Sequence, residues 1–184
     1  MQRCPWCLGH DIYERYHDEE WGVPEHDELK HFEFLLLETM QAGLSWLTIL
    51  RRRENYRLAF SGFDPNLVAR FTKAKVEKLM QDSGIIRNRL KIEAAVNNAK
   101  RFLEIQDEFG SFDKYIWGFT GGQIIKNSWK TIREVPATTD LSDKVAKDLK
   151  KRGFKFVGST TIYAHLQAIG VVNDHLIDCF RYTA

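Results

Sequence analysis

The chain has 184 residues, enough to bury one core as a single domain or two small lobes, with little room for an appended module. Hydrophobic residues at 43% and charged residues at 28% are ordinary globular usage, which excludes a disordered, collagenous or disulfide-dense chain. The net charge of +2 hides an asymmetry: residues 1–40 carry ten acidic and three basic side chains, so the rest of the chain is strongly basic and is where a polyanion partner would bind. Its basic groups lie at Arg51-Arg52-Arg53, at Arg87, Arg89 and Lys91, and from Lys144 to Lys155. No apolar run reaches the roughly 18 residues of a membrane span, and the amino terminus lacks a signal-peptide core. The expectation is a cytoplasmic protein with no membrane partner. Its three cysteines then read as metal ligands or buried small residues.

Apolar residues recur at helical spacing almost throughout, and the chain reads as all-α. From Leu29 to Gln41, Leu29, Phe32, Leu36 and Met40 form a stripe while Phe34, Leu35 and Leu37 fill the other sides, so this helix runs through the core. Ala42-Gly43 breaks it. Ser45 is a good N-cap for a second helix that carries Trp46, Ile49 and Leu50 inward. Asp64-Pro65 starts another, which Val76, Leu79 and Met80 continue and which stops at Gly84. Ile92, Ala95, Val96, Ala99, Phe102 and Leu103 follow the 3, 4 spacing. Phe112, Tyr115, Ile116 and Phe119 give a further helix before Gly121-Gly122. Gly121 to Thr139 is polar and irregular. Leu141, Val145 and Leu149 then face the core until Gly153, and after the turn to Gly158 an apolar helix runs from Ile162 to Ile169.

Three constellations carry chemistry. A helix, glycine-bounded hairpin and helix turns the backbone N–H groups of the second helix toward a phosphate; Gly158 permits close approach, and Ser159 and Thr160 add hydroxyl donors. His175 and Cys179 place an imidazole and a thiol four residues apart, on one face if helical, and a closed zinc site needs two further ligands. Spacing favours Cys4 and Cys7, a C-x-x-C half-site, over Cys4 with His17. Either set staples the two termini together. Lastly, Trp6, Tyr13, Tyr16, Trp21 and Trp46 surround Glu38 in sequence. A carboxylate on that apolar helix either pairs inside or lines a cavity suited to a flat, electron-poor or cationic ring.

These elements, in this order, resemble the DNA-3-methyladenine glycosylase I family. The strings that carry the resemblance run from Tyr16 to Pro24 (YHDEEWGVP), Gln41 to Trp46 (QAGLSW), Asp82 to Arg87 (DSGIIR), Lys151 to Gly158 (KRGFKFVG) and Val172 to His175 (VNDH), spread over nearly the whole chain. The resemblance implies the helix-hairpin-helix glycosylase fold: one catalytic unit of two helical lobes, with a hairpin region at about 141–169 and zinc-bound termini at 1–20 and 170–184. It implies Cys4, His17, His175 and Cys179 as ligands of one structural zinc, against the spacing preference for Cys7. It places a flipped base among Trp6, Tyr13, Tyr16, Trp21 and Trp46, with Glu38 accepting hydrogen bonds from it and Tyr16 and Trp46 stacking on it. Gly43 and Leu44 match the segment that presses into the gap in the DNA stack, and Lys155, Val157, Gly158, Ser159 and Thr160 match the DNA contacts.

Two positions depart from the wider superfamily. Asn173 stands where related enzymes have a catalytic aspartate, next to Asp174, and Thr160 stands where bifunctional members carry a Schiff-base lysine. The implied activity is therefore monofunctional hydrolysis of the N-glycosidic bond of 3-methyladenine in double-stranded DNA, releasing the free base without strand cleavage, by a monomer. The alternatives are a zinc-stapled DNA-binding module without catalysis and a glycosylase of broader alkyl-purine range.

Overall fold

The computed structural model describes residues 2–182. The expected zinc-bound termini therefore extend at Met1 and at Thr183-Ala184 outside the described residues. Ten α-helices make up most of the described chain. α2 (Glu28–Gln41) is the axis, with every side chain from His31 to Met40 buried. Asp27 starts it by accepting the Lys30 N–H. Around it pack α3 (Trp46–Leu50), α7 (Arg89–Phe109), α8 (Phe112–Gly118) and α10 (Ser159–Ala168). Ser45 caps α3 as its residue type predicts, and Asn88, Ser111 and Thr139 cap α7, α8 and α9 (Asp140–Lys151) in the same way.

The structure differs from the sequence expectation in four places. The helix expected from Pro65 to Gly84 is two: α5 (Pro65–Val68), capped by Asp64, and α6 (Lys73–Leu79), restarted by Thr72, whose hydroxyl accepts the Lys75 N–H. Two short helices, α1 (Asp11–Glu19) and α4 (Arg53–Ala59), were not expected. The fold is not purely α: Ile125 and Lys126 of the long connection (β1) pair in parallel with Val172 and Asn173 (β2). His175 to Cys179 form turns rather than a helix.

The basic clusters also resolve differently. Arg53 points inward and donates to Glu20 (2.6 and 2.7 Å) and Glu33 (2.7 Å), and Arg89 pairs with Glu77. Lys91 is buried, donating to the Met40 (2.8 Å) and Ala42 (2.5 Å) carbonyls at the end of α2. There a cation meets the negative end of the helix dipole and satisfies carbonyls that have no intrahelical partner. Burial removes Arg53 and Lys91 from the pool free to meet a polyanion, whereas Arg89 stays exposed in a surface pair.

The hairpin between α9 and α10 is braced from α7. Asn98 reads both backbone groups of Lys155, donating to its carbonyl (2.9 Å) and accepting from its N–H (2.8 Å), while Asn97 donates to the Gly153 carbonyl (2.9 Å). Gly170 sets the exit from α10. Its φ is 71°, and a Cβ there would overlap the Val23–Pro24 peptide, so only glycine lets the segment after α1 lie against this turn.

Candidate functional site

A cavity of about 300 Å³ opens between α1, the end of α2, the start of α3, the α10 face and the long connection. α1 delivers Tyr13 and Tyr16 from one face, the Pro5–Cys7 turn delivers Trp6, and α2 delivers Glu38. All six pocket residues named from the sequence, Trp6, Tyr13, Tyr16, Trp21, Glu38 and Trp46, line this one cavity. Trp6 packs edge-on to Tyr13 (5.1 Å between centroids) and Trp21 (5.0 Å), and Tyr16 lies 5.4 Å from Trp46. The remaining wall was not foreseen: Tyr163, Ala164 and Gln167 of α10, with Ile132, Val135 and Pro136 of the connection. The 3, 4 spacing of Thr160, Tyr163, Ala164 and Gln167 would have placed these four on one face of α10. Nothing in the connection's sequence signals its approach.

Glu38 is 3% exposed, and its Oε2 has no hydrogen-bond partner; the Trp46 Nε1 is likewise buried without one. Burial with no nearby cation pushes the Glu38 carboxyl up to about 8. Desolvation, and secondarily the Glu38 charge, raises the Tyr13 and Tyr16 hydroxyls as well. A carboxyl and an indole N–H without protein partners, on two residues that line one aromatic cavity, suit a flat ligand carrying both donors and acceptors.

A larger concavity of about 410 Å³ lies on the far side of Tyr16, bordered by Arg15, Glu20, Lys30, Arg53 and Arg57. Its charges largely pair with one another: Arg53 with Glu20 and Glu33, Arg57 and Lys30 with Glu33. Glu33 is held below the usual carboxylate range, its burial outweighed by the Arg53 guanidinium. With partners already in place, this cleft lacks the unmet polar groups of the aromatic cavity.

The second centre is the buried set Cys4, His17, His175 and Cys179, whose ligand atoms all lie within 4.8 Å of one another. The Sγ–N separations are 3.4 Å (Cys179 to His17 Nε2), 3.6 Å (Cys179 to His175 Nδ1) and 3.7 Å (Cys4 to His175 Nδ1). A tetrahedron with zinc–sulfur bonds of about 2.3 Å and zinc–nitrogen bonds of about 2.0 Å has S···N edges of roughly 3.6 Å. The outer ring nitrogens are already assigned, His17 Nδ1 to Asp18 (2.8 Å) and His175 Nε2 to the Trp21 carbonyl (3.0 Å), which aims the remaining nitrogens at the centre. Burial lowers both imidazoles, His175 to about 4, and pushes Cys4 up to about 12. The donor set thus fits a metal ion. Cys7 stands apart, fully buried with its Sγ donating to the Cys4 carbonyl (3.1 Å).

The expected DNA-contact residues lie in the turn after α2, on the hairpin and at the start of α10. Gly43, with φ of 80°, and half-exposed Leu44 form the turn after α2, and Lys155 is exposed on the hairpin. Gly158 is the N-cap of α10 and supplies no side-chain cap, leaving the first-turn N–H groups open to an anion. Thr160 lies at that helix end and also lines the cavity. Two of these residues are constrained by their surroundings. The Val157 side chain is 1% exposed, so only its backbone can reach DNA, and the Ser159 hydroxyl is bound to Ser142 (2.8 Å), which ties α10 to α9. Asn173 caps the turn by accepting the His175 N–H (3.1 Å). Asp174 is buried under four donors: Asn127, Trp129, Tyr163 and Gln167.

Comparison with known proteins identifies the family. Residues 6–182 match the family model described as methyladenine glycosylase. The chain is 48% identical over 182 residues to DNA-3-methyladenine glycosylase 1 of Escherichia coli K12, covering 99% of this chain and 97% of that one. A crystal structure of 3-methyladenine DNA glycosylase I superposes with a TM-score of 0.95 at 48% identity, covering 97% of this chain and 98% of the other. Another, a variant of that enzyme in complex with 3-methyladenine, gives a TM-score of 0.94 at 37% identity, covering 98% and 97%. By sequence and by fold, the chain belongs to the methyladenine glycosylase family.

Proposed function

We propose that this protein is a DNA glycosylase that hydrolyses the N-glycosidic bond of 3-methyladenine in double-stranded DNA. The observation that carries the reading is the buried Glu38, unpaired, facing an aromatic cavity of about 300 Å³ in a chain of this family. A flipped purine is accommodated in the aromatic cavity against Tyr16 and Trp46, and its N–H groups meet Glu38. N3-methylation makes the ring cationic, so the C1′–N9 electron pair departs with a neutral base while water adds to C1′ and gives up a proton. Uptake of the cation favours the Glu38 carboxylate and expels its proton. Asp174 is saturated by donors and Thr160 stands in place of a lysine, so those two positions offer neither a free carboxylate base nor a Schiff-base amine. The products are free 3-methyladenine and an abasic site on an unbroken strand.

The open N–H groups of α10, Lys155 and the Gly43-Leu44 turn support DNA seating along the cavity mouth, the turn filling the space the base vacates. Zinc is the metal best suited to Cys4, His17, His175 and Cys179; bound there it has four protein ligands and supplies folding free energy rather than an activated water. The two lobes then act as one catalytic unit, tied together through the termini. We place this unit, as a monomer, in the cytoplasm, where three unpaired thiols are stable; among the described residues no helix is long and apolar enough to cross a membrane.

The test is chromatographic release of bases from methylated duplex DNA. Free 3-methyladenine with strands intact until alkali treatment is expected. Glu38→Gln and Trp46→Ala should lose release while retaining non-specific DNA binding. No release from folded, metal-loaded protein would favour a binding module, and release of hypoxanthine would favour a broader glycosylase.

A further inference from the structure

Asp174 is a buried carboxylate that the chemistry proposed above leaves unused. It is 2% exposed and accepts from Asn127 Nδ2 and Trp129 Nε1 on one oxygen, each at 2.7 Å, and from the Tyr163 hydroxyl and Gln167 Nε2 (2.7 Å) on the other. Four donors and no acceptor is the pattern of an ionised carboxylate. All four donors are neutral, and among the described residues no lysine or arginine forms an ion pair with it. Two of the donors, Tyr163 and Gln167, are themselves wall residues of the aromatic cavity, so the charge sits one hydrogen bond behind that wall, across from Glu38. The other two belong to the long connection, whose Ile132, Val135 and Pro136 complete the wall.

We propose that Asp174 is a specificity-determining residue: its fixed charge, held behind α10, biases the cavity toward a cationic purine over a neutral one of the same shape. A saturated carboxylate is suited to this task because it cannot compete for the base's N–H groups or take a proton from water, yet its field persists in a poorly solvated wall. Glu38 meets the ring edge and its charge by contact; Asp174, out of contact, acts on the charge alone. This inference rests on the glycosylase reading above.

Direct binding of two free bases to the full-length, metal-loaded protein separates the possibilities: 3,9-dimethyladeninium, a permanent cation, and neutral 3-methyladenine, both followed by tryptophan fluorescence. The wild type is expected to prefer the cation, and Asp174→Asn should cut that preference about tenfold, mostly through the cation's affinity. Metal content is measured on each variant, because His175 is adjacent. Should Asp174→Asn fail to fold, Asn127→Lys carries the test: it sets a cation beside Asp174 from the half-buried rim and should reduce the preference to a similar degree. An unchanged cation-to-neutral ratio in a folded, metal-loaded variant overturns the inference, since a purely structural Asp174 would weaken both ligands alike. A wild type that binds neither base and releases none from methylated DNA defeats the glycosylase reading itself.

Discussion

The Cys/His cluster and the aromatic cavity are neighbours that treat buried polar atoms in opposite ways. In the cluster each imidazole has its outer nitrogen satisfied and its inner nitrogen aimed at the two cysteine sulfurs, so four donor atoms converge on one centre. In the cavity the Glu38 Oε2 and the Trp46 Nε1 have no partner at all. The first arrangement is built to hold an ion permanently; the second leaves buried polar atoms for a ligand to satisfy. Trp6 and Trp21 join the two. Trp6 lies 5.4 Å from His17 and Trp21 lies 4.6 Å from His175, and both line the cavity. The Cys/His cluster is thereby the backing of the aromatic cavity.

Removing the cluster should have the largest effect. Cys179→Ala is expected to lose the metal and destabilise the fold by about 3 kcal/mol or more, with base release abolished because Trp6 and Trp21 lose their backing. Metal stoichiometry and thermal unfolding measure it, and a strong chelator should reproduce it in the wild type. A variant that releases base at the wild-type rate without metal would show the two regions to be independent.

Gly170→Ala probes the junction. The left-handed φ of 71° and the overlap with the Val23–Pro24 peptide both oppose a side chain, so a loss of roughly 2–4 kcal/mol is expected. The segment it displaces contains Gly22, whose own site abuts His175, so metal affinity should fall as well.

Glu38→Gln should invert the sign seen in the cluster. The folded chain holds this carboxyl near 8 against an ordinary 4.5, so it keeps a proton that the unfolded chain has already lost in between. The contribution of Glu38 to stability is therefore fully present below about 4.5 and is lost as the pH rises through 8. Glutamine has no such loss, so the variant should be more stable than wild type by roughly 1–3 kcal/mol above pH 8, and the gain should vanish near pH 4. Base release should fall by about 10²-fold or more at every pH. Equal melting temperatures for variant and wild type at pH 9 would mean that Glu38 finds a partner in solution.

What the sequence disclosed tracks how local each signal is. Ser45, the Asp64-Pro65 pair and the apolar α2 announce themselves within a few residues, and Glu38 stands out as a carboxylate on an otherwise apolar helix. Non-local facts did not show. That Arg53 and Lys91 turn inward depends on Glu20, Glu33 and the carbonyls of Met40 and Ala42, each far along the chain. The connection's place in the cavity wall depends on its pairing with β2 and on Asp174. The metal set shows the limit most plainly: spacing favoured Cys7, whereas His17 reaches the cluster only because α1 carries Tyr13, Tyr16 and His17 on one face.

Cys7→Ala is the smallest change and the sharpest test of that set. Cys7 sits three residues from a ligand, fully buried, its thiol pushed up to about 11 by burial and committed to the Cys4 carbonyl. A neutral thiol that donates to a backbone oxygen is a small packed side chain rather than a thiolate ligand. Alanine removes the weak hydrogen bond and leaves a gap of one sulfur atom, costing about 1 kcal/mol, with one metal ion retained per chain and base release unchanged. Loss of the metal from Cys7→Ala, with His17→Ala still metal-loaded, would return the ligand role to the C-x-x-C pair. It would also remove the α1 contact through which the cluster supports Trp6 and Trp21, and with it the coupling between the two regions.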